Sequence, residues 1–255
     1  AEADETRVKA RLHKMLGDDA VFDIQWVSVY TFECRMMENF RHGSVFFIGD
    51  AAHRVSPFGA RGANSGIQDA DNLGWKLAAV LTGQANDSLL DSYSEERIVG
   101  AKQNLSQSSR STDFITPKSK QSLRFRDAIL SLSKTHTFAK QMINSGRLST
   151  ATNHPDSSLN YQSSQSGQSN SFDGGILPGQ VCLDAKIKSG WLMERLGSQF
   201  SLLVFSDLNE QQQAQFDLLR ETEPQLQLIN LAHSDSEGFI KSRYGDIAGM
   251  VYLVR

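Results

Sequence analysis

The sequence predicts a mixed α+β fold, of the α/β kind in which helices and strands alternate. Apolar residues recur at helical spacing in several long stretches, and short runs rich in β-branched and aromatic residues stand between them. The last third of the chain adds a strand–helix–strand succession, which is typical of a small α/β unit. At 255 residues, of which 39% are hydrophobic and 22% charged, the chain is expected to form one large or two modest globular domains.

The N-terminal part contains one predicted helix and two predicted strands. Apolar residues at helical spacing predict a helix over 4–16, which Gly17 is expected to end. Residues 21–32 are rich in aromatic and β-branched side chains, so we expect a half-buried strand there. The short apolar run 44–48 lies between two glycines and predicts a fully buried strand.

The middle of the chain is predicted to be helical. A first helix is expected over 64–82, with Gly83 at its end, a second over 89–108 and a third over 123–143. The apolar face of the first of these helices is expected to consist of five positions at helical spacing: Ile67, Ala70, Leu73, Leu77 and either Val80 or Leu81.

A stretch dominated by Ser, Asn and Gln, residues 149–171, predicts a linker between two domains. After it we expect strands over 200–206 and 225–232 with a helix over 210–220 between them, and a last strand over 247–255. The chain stops inside this last strand, so we expect a truncated domain.

Charge and hydropathy indicate which partners the chain is not expected to have. The net charge is −3 and the 26 Lys and Arg residues are scattered, so nucleic acid is not an expected partner. No apolar run approaches the roughly 20 residues that span a membrane, and the acidic start 1–5 is unlike a secretory signal, so we expect a cytoplasmic protein. Cys34 and Cys182 lie far apart in the sequence, and we expect buried small hydrophobic residues rather than metal ligands.

A carboxylate and a glycine-rich loop form the candidate site. Asp50 follows the second predicted strand, at the edge where open α/β sheets bind ligands, and an ionised carboxylate accepts hydrogen bonds from sugar or polyol hydroxyls. Gly59 and Gly62 would let a flat ligand touch the backbone, and the helix that follows offers N-terminal N–H groups that favour negative charge. Ser65 and Gln68 are spaced as a capping box at the start of this helix. On spacing alone, the carboxylate could instead cap a turn and the glycines could merely shape a loop.

The residues of this segment are more specific than their spacing. They resemble the second flavin motif of class A FAD-dependent aromatic hydroxylases, in particular the phenol hydroxylase and hydroxyphenylpropionate hydroxylase branch. The resemblance rests on three consecutive segments: Gly49-Asp50-Ala51-Ala52-His53, Pro57-Phe58-Gly59-Ala60-Arg61-Gly62-Ala63-Asn64-Ser65-Gly66 and Gln68-Asp69-Ala70-Asp71-Asn72-Leu73-Gly74-Trp75-Lys76-Leu77. By this resemblance Asp50 binds the ribityl chain of FAD, Pro57 lies near the isoalloxazine, and the backbone of 62–64 faces its pyrimidine end. The cofactor-binding set that it implies is Gly49, Asp50, Pro57, Gly59, Gly62, Ala63 and Asn64.

The resemblance also implies a reaction. In that family NAD(P)H reduces FAD, oxygen adds to give a flavin hydroperoxide, and an electron-rich aromatic ring such as a phenol is hydroxylated. No catalytic residue is assigned. His53 and Arg54 are expected to pack or hydrogen-bond around the loop rather than to react, and Arg35 is a weaker candidate for contact with the flavin region.

Four segments follow from the same resemblance. Residues 1–32 resemble the end of a substrate-binding domain, 33–148 the C-terminal part of an FAD-binding domain with the helices after it, 149–171 a linker, and 172–255 a truncated thioredoxin-like domain. The last segment has no CxxC pair, so we expect it to pack or dimerise rather than exchange disulfides.

The motif GxGxxG, which binds the FAD pyrophosphate in this family, does not occur in the chain. We therefore expect a fragment that carries about half of the flavin site, that is inactive alone and that is colourless or binds FAD weakly. Two alternatives stay open, a non-catalytic dimerisation or interaction module, and a flavin hydroxylase of a polycyclic polyketide or antibiotic.

Overall fold

The computed structural model describes residues 4–143, 151–160, 175–235, 237–245 and 250–255. The chain divides into two compact units, Ala1–Ser149 and Thr150–Arg255. Helices and small sheets are both present, so the expected mixed α+β fold is confirmed.

Seven α-helices occur among the described residues: α1 (Glu5–Leu16), α2 (Arg61–Leu81), α3 (Asp91–Ile115), α4 (Lys120–Leu132), α5 (Thr137–Ile143), α6 (Glu210–Thr222) and α7 (Phe239–Tyr244). The same residues form nine short strands: β1 (Arg35–Met36), β2 (Arg41–His42), β3 (Val45–Phe46), β4 (His53–Arg54), β5 (Lys186–Ile187), β6 (Gly190–Trp191), β7 (Ser201–Val204), β8 (Gln227–Asn230) and β9 (Val251–Val254). None of the described helices is both long enough and apolar enough to cross a membrane.

The start of the first unit fulfils one prediction and contradicts another. The side chain of Asp4 accepts a hydrogen bond from the N–H of Arg7 and so caps α1, which ends before Gly17 as expected. The strand predicted over 21–32 is wrong, because the segment has no regular structure and Trp26 is 80% exposed. Aromatic and β-branched residues form a strand only where neighbouring strands supply hydrogen bonds and a surface to pack on, and no described strand pairs with this segment.

The core of the first unit lies between two small antiparallel ribbons and the pair α2 and α3. Strand β1 pairs with β4, and β2 pairs with β3. The buried apolar residues of this core are Phe40, Ala52, Leu73, Leu90, Tyr93 and Ala101. The strand predicted at 44–48 is shorter than expected and is not fully buried, because β3 pairs on one side only and the side chains of Val45 and Ile48 are exposed.

Helix α2 exists as predicted, but the face that it buries is different. Its buried positions are Arg61, Ser65, Asp69, Leu73 and Lys76. Ile67, which the apolar pattern placed in the core, is 67% exposed. Polar side chains on α2 find partners on α3, so a polar stripe rather than the apolar one faces the neighbouring helix.

The remaining helices of this unit differ from their predictions mainly at their ends. Helix α3 begins at Asp91 after a short 3-10 helix and runs to Ile115. The single helix expected over 123–143 is two helices, α4 and α5, with a turn between them.

The second unit contains a three-stranded sheet in the order β8-β7-β9. Strand β7 is central, parallel to β8 and antiparallel to β9, and α6 forms the connection from β7 to β8. The strand–helix–strand prediction is therefore confirmed in this unit, while residues 246–249 of the last predicted strand lie outside the described residues. The fully buried apolar side chains of its core include Ala185, Leu192 and Leu203.

The two cysteines are not the pair of buried residues that the sequence predicted. Cys34 is exposed and directly precedes β1. Cys182 is partly buried, and its Sγ lies 3.0 Å from the hydroxyl of Tyr244. Burial raises the pKa of the Cys182 thiol, so this residue is a weak nucleophile.

Candidate functional site

The carboxylate of the predicted site stands on a tight turn. Residues Gly49–Ala51 form a single 3-10 turn directly after Ile48, and the side chain of Asp50 is exposed. Gly49 adopts a φ of 55°, in the left-handed region that favours glycine. A Cβ at Gly66 would lie 3.4 Å from the Cα of Gly49, so the backbone of the turn lies directly against α2.

The glycine-rich loop leads from β4 into the first turn of α2. Gly59 and Ala60 are both left-handed, with φ values of 93° and 52°. The loop is closed by a hydrogen bond from the N–H of Ala60 to the carbonyl of Pro57, and the side-chain amide of Asn64 donates to the carbonyl of Ala60 over 2.7 Å. A non-glycine residue in this conformation is strained, which is common at ligand sites.

The start of α2 differs from the predicted capping box. The helix begins at Arg61 and Ala60 supplies no side-chain cap. Ser65 lies inside the helix and is buried, where its hydroxyl accepts a hydrogen bond from Asn104 on α3 over 3.3 Å. The box is therefore wrong, and the first-turn N–H groups carry the partial positive charge of a helix N-terminus.

The predicted site residues occupy two neighbouring backbone segments. Gly49 and Asp50 lie on the turn, Pro57 and Gly59 in the loop, and Gly62, Ala63 and Asn64 in the first turn of α2. Pro57, Ala63 and Asn64 are exposed like Asp50, and the three glycines are partly exposed. The turn packs against α2, and the close contacts described between them are at Gly66 and Asp69.

A buried carboxylate that the sequence analysis did not single out holds these segments. Asp69 is fully buried in the middle of α2. Its Oδ2 accepts hydrogen bonds from the N–H of Gly49 over 2.9 Å and from Nε2 of His53 over 2.7 Å. Its Oδ1 accepts a hydrogen bond from Nε of Arg97 on α3 over 2.6 Å. One side chain therefore joins the turn, β4, α2 and α3.

The hydrogen bonds of Asp69 keep it ionised in spite of its burial. Burial alone would raise the pKa of this carboxyl, but hydrogen bonds from His53, Arg97 and the Gly49 N–H outweigh it, and the net pKa lies below the ordinary value. His53 is fixed by this bond as expected of a structural histidine, and within the described residues its buried Nδ1 has no hydrogen-bond partner.

A second buried contact ties the loop to α3. The hydroxyl of Ser56, directly before Pro57, lies 2.5 Å from that of Ser108 and 2.7 Å from that of Thr112. Ser56 and Ser108 are fully buried. The glycine-rich loop is thus anchored at its start by α3 and at its end by α2.

Two candidate residues of the sequence analysis lie at the edge of this site. Arg35 and Arg54 are paired across the ribbon of β1 and β4, and both are exposed. Arg35 forms an ion pair with Glu33 over 3.3 Å. No described contact of Arg35 involves the turn or the loop.

The sequence did contain a signal for Asp69 and its partners. Polar residues recur every three or four positions along α2 on the stripe that includes Leu73, and such residues are seldom buried unless they are paired. The signal has two parts. Charged residues occur at buried positions of one helical pattern, and residues of opposite charge occur at buried positions of the next helical pattern. The apolar periodicity alone predicts a buried face without Asp69 and therefore does not contain this signal.

The part of the chain that contains the site is similar to known flavoproteins. Residues 1–108 match the family model described as FAD binding domain. The resemblance to FAD-dependent aromatic hydroxylases is therefore confirmed for this part of the chain.

Curated relatives match up to about half of this chain at 38–52% identity. A 3-(3-hydroxy-phenyl)propionate/3-hydroxycinnamic acid hydroxylase of Paraburkholderia xenovorans is 40% identical over 121 residues, which are 48% of this chain and 20% of the relative. A tetracenomycin B2 monooxygenase-dioxygenase of Streptomyces olivaceus is 52% identical over 79 residues, 31% of this chain and 15% of the relative. A 2,4-dichlorophenol 6-monooxygenase of Cupriavidus pinatubonensis is 38% identical over 117 residues, 46% of this chain and 20% of the relative.

Solved structures resemble the chain over nearly all of its length. The rebeccamycin biosynthetic enzyme RebC with reduced flavin matches with a TM-score of 0.68 and 25% identity, covering 97% of this chain and 47% of that protein. The flavin-dependent monooxygenase PieE, solved in complex with FAD and substrate, matches with a TM-score of 0.74 and 21% identity, covering 99% of this chain and 50% of that protein. The PieE match is evidence for the fold alone. The chain spans about half the length of these solved structures and the matched segment about a fifth of the curated relatives.

Proposed function

We propose that this chain is part of an FAD-dependent monooxygenase that hydroxylates an aromatic ring, and that its turn and glycine-rich loop bind the flavin. The observation that carries the proposal is the exposed Asp50 carboxylate on a turn that packs against α2 at Gly66 and Asp69. The match of residues 1–108 to an FAD binding domain supports the same cofactor.

The residues present fit FAD. The ribityl chain offers hydroxyl donors, and Asp50 is an exposed carboxylate that accepts hydrogen bonds. The isoalloxazine is flat, and Gly59 and Gly62 have no side chains of their own, so a flat ring could approach their backbone. The reduced ring system is anionic at its pyrimidine end, which suits the partial positive charge at the N-terminus of α2, where residues 62–64 lie. Pro57 and Gly49 complete the proposed set.

FAD supplies the oxygen-activating chemistry when it is bound, and the chain's residues bind it and restrict its movement. Asp50 holds the polyol part, while the first turn of α2 stabilises negative charge without moving, since its dipoles are already aligned. Asp69 holds the turn, and Ser56 holds the start of the glycine-rich loop, each through a buried side chain that forms hydrogen bonds. No residue of the described structure is assigned to proton transfer.

The co-substrates and the substrate class are part of the proposal. NAD(P)H is the expected reductant and O2 the oxidant, with a phenol-like ring as the acceptor. The relatives include both a dichlorophenol monooxygenase and a tetracenomycin monooxygenase-dioxygenase, so a polycyclic ring is the second candidate substrate. Stimulation of NAD(P)H oxidation by monocyclic phenols or by polycyclic phenols, in the protein that contains this chain, distinguishes the two.

The second unit is proposed to be thioredoxin-like and to serve self-association. A central β7 with parallel β8 and antiparallel β9, connected through α6, is compatible with that fold. Light scattering tests the homodimer, and a monomer at all concentrations would contradict it. The proposed location is the cytoplasm.

The flavin site is tested by titrating FAD into the protein that contains this chain and following the quenching of flavin fluorescence. Asp50→Ala should weaken FAD binding by at least about tenfold, which corresponds to about 1.4 kcal/mol. Asp71→Ala is the matched control, because Asp71 is an exposed aspartate on α2 outside the site, and it should bind FAD like the unaltered chain. Equal affinities of the two variants would contradict the assignment of Asp50.

A further inference from the structure

We infer that Asp69 is a positioning residue that fixes the Gly49–Ala51 turn, and with it the Asp50 carboxylate, for the ligand of this site. The inference rests on the proposed function for the nature of that ligand, and on the geometry of the turn for the role itself.

The first step concerns what holds the turn. Within the turn the N–H of Ala52 donates to the carbonyl of Gly49 over 2.9 Å, which closes it locally. The N–H of Gly49 points the other way and donates to Asp69 on α2. That hydrogen bond and the glycine–glycine approach at Gly66 are the described contacts that seat the turn on the helix.

The second step concerns why the holding group is a carboxylate. Three donors converge on Asp69: a backbone N–H, an imidazole N–H and a guanidinium N–H. An ionised carboxylate offers only acceptors and satisfies all of them. An amide of the same size would keep its oxygen towards the Arg97 cation and turn its NH2 group towards Gly49 and His53. Arg97 supplies the positive charge that lets the carboxylate stay ionised while fully buried.

The third step separates positioning from general stability. The same two helices contain a second buried ion pair, Lys76 Nζ to Glu96 Oε2 at 2.8 Å, and both side chains are fully buried. This pair lies on the same helix–helix interface but has no described contact with the turn. It is therefore a control for damage to the α2–α3 packing that does not touch Gly49.

The experiment compares Asp69→Asn with Glu96→Gln in the 255-residue chain. Both keep side-chain size and remove one buried negative charge. Two readouts are taken. The first is hydrogen exchange of the Gly49 amide in the chain by NMR, with exposed Gly43 of the hairpin turn as the unprotected reference. The second is FAD affinity by fluorescence titration of the same variants in the protein that contains this chain. In the unaltered chain the Gly49 amide should exchange much more slowly than that of Gly43.

Asp69→Asn should abolish the protection of Gly49 and weaken FAD binding by at least about tenfold. Glu96→Gln should leave the Gly49 amide protected from exchange and change the FAD affinity less than about threefold. This should hold even if Glu96→Gln lowers the unfolding midpoint as much as Asp69→Asn does. Equal effects of the two variants, or a protected Gly49 in Asp69→Asn, would overturn the positioning role.

Failure of the proposed function gives a different result. If the protein that contains this chain does not bind FAD, the flavin assignment loses its support, while the Gly49 amide of the 255-residue chain still decides whether Asp69 holds the turn. If Asp69→Asn does not fold, the unaltered chain still tests the inference. A Gly49 amide that exchanges there as fast as the Gly43 amide would contradict the role of Asp69 in holding the turn.

Discussion

Gly49 combines a left-handed backbone with an N–H group that is bound to a buried carboxylate, so its identity matters for the turn. Its φ is 55°, and its N–H is bound to Asp69. Replacing it with alanine should lower the free energy of unfolding by about 1–2 kcal/mol, since a side chain is disfavoured in this conformation. Urea denaturation measures the change.

Gly74 on α2 is the matched control for this substitution. It is exposed and helical, and a Cβ there would meet nothing within 4 Å. Gly74→Ala should therefore raise the free energy of unfolding by about 0.5–1 kcal/mol through helix propensity. Destabilisation by both substitutions to the same extent would contradict the special role of Gly49.

Asp69 should also make the stability of the first unit depend on acidity. Its folded pKa is depressed below the ordinary value of about 3.9, so the carboxylate contributes stability that is fully present above that value. That contribution is lost as the pH falls through the folded pKa, because the unfolded chain then binds the proton more readily. The difference in unfolding free energy between the unaltered chain and Asp69→Asn should shrink from pH 7 to pH 3. A constant difference in urea titrations across this range would refute the linkage.

At the scale of single residues the sequence located the exposed parts of the site but not their support. Asp50 and the loop from Pro57 to Asn64 were predicted because they form a contiguous and specific motif. Asp69 and Arg97 are 28 positions apart, and their contact exists only once two helices are packed. A pairing of that kind is tertiary information, which a motif in one segment does not contain.

The interface between α2 and α3 is polar where most helix pairs are apolar. Lys76, Glu96 and Asn72 form a buried cluster, in which the amide of Asn72 donates to Glu96 over 2.7 Å. Removing one partner of a buried ion pair leaves an uncompensated charge, whereas removing both often costs little. Such pairs contribute specificity of packing more than net stability.

Lys76→Met should therefore lower the free energy of unfolding by about 3–5 kcal/mol, because it leaves Glu96 buried without its cation. Lys76→Met combined with Glu96→Met should recover at least about 2 kcal/mol of that loss, since both charges are then absent. Urea denaturation of Lys76→Met, Glu96→Met and the double variant gives the unfolding free energies that complete this double-mutant cycle. A double variant as unstable as the sum of the single ones would show that the pair has no coupling.

The elements themselves were predictable where local chemistry decides them. Helix α2 needs only its own hydrogen bonds, so its periodicity predicted its existence within three residues at the N-terminus. Residues 21–32 need a partner strand that no local pattern supplies, and they form no strand. The buried face of α2 depends on its neighbour as well, which is why Ile67 was assigned to the core and is exposed.

At the scale of the whole molecule, the candidate site lies entirely in the first unit. Every residue of the proposed flavin set, and both buried anchors, belong to Ala1–Ser149. The second unit has its own core around Leu203 and its own sheet. Flavin binding and the stability of the second unit should therefore respond to different substitutions.

Matched cavities in the two cores test this separation. Leu73→Ala and Leu203→Ala each remove a buried leucine side chain, from the first and the second core respectively, and each should cost about 2–5 kcal/mol. A ligand stabilises only the unit whose native state it binds, so FAD should raise the thermal transition that Leu73→Ala lowers. Leu203→Ala should lower the other transition and leave the FAD affinity unchanged. Calorimetry with and without FAD measures both effects, and a Leu203→Ala variant that binds FAD as poorly as Leu73→Ala would show that the site depends on the second unit.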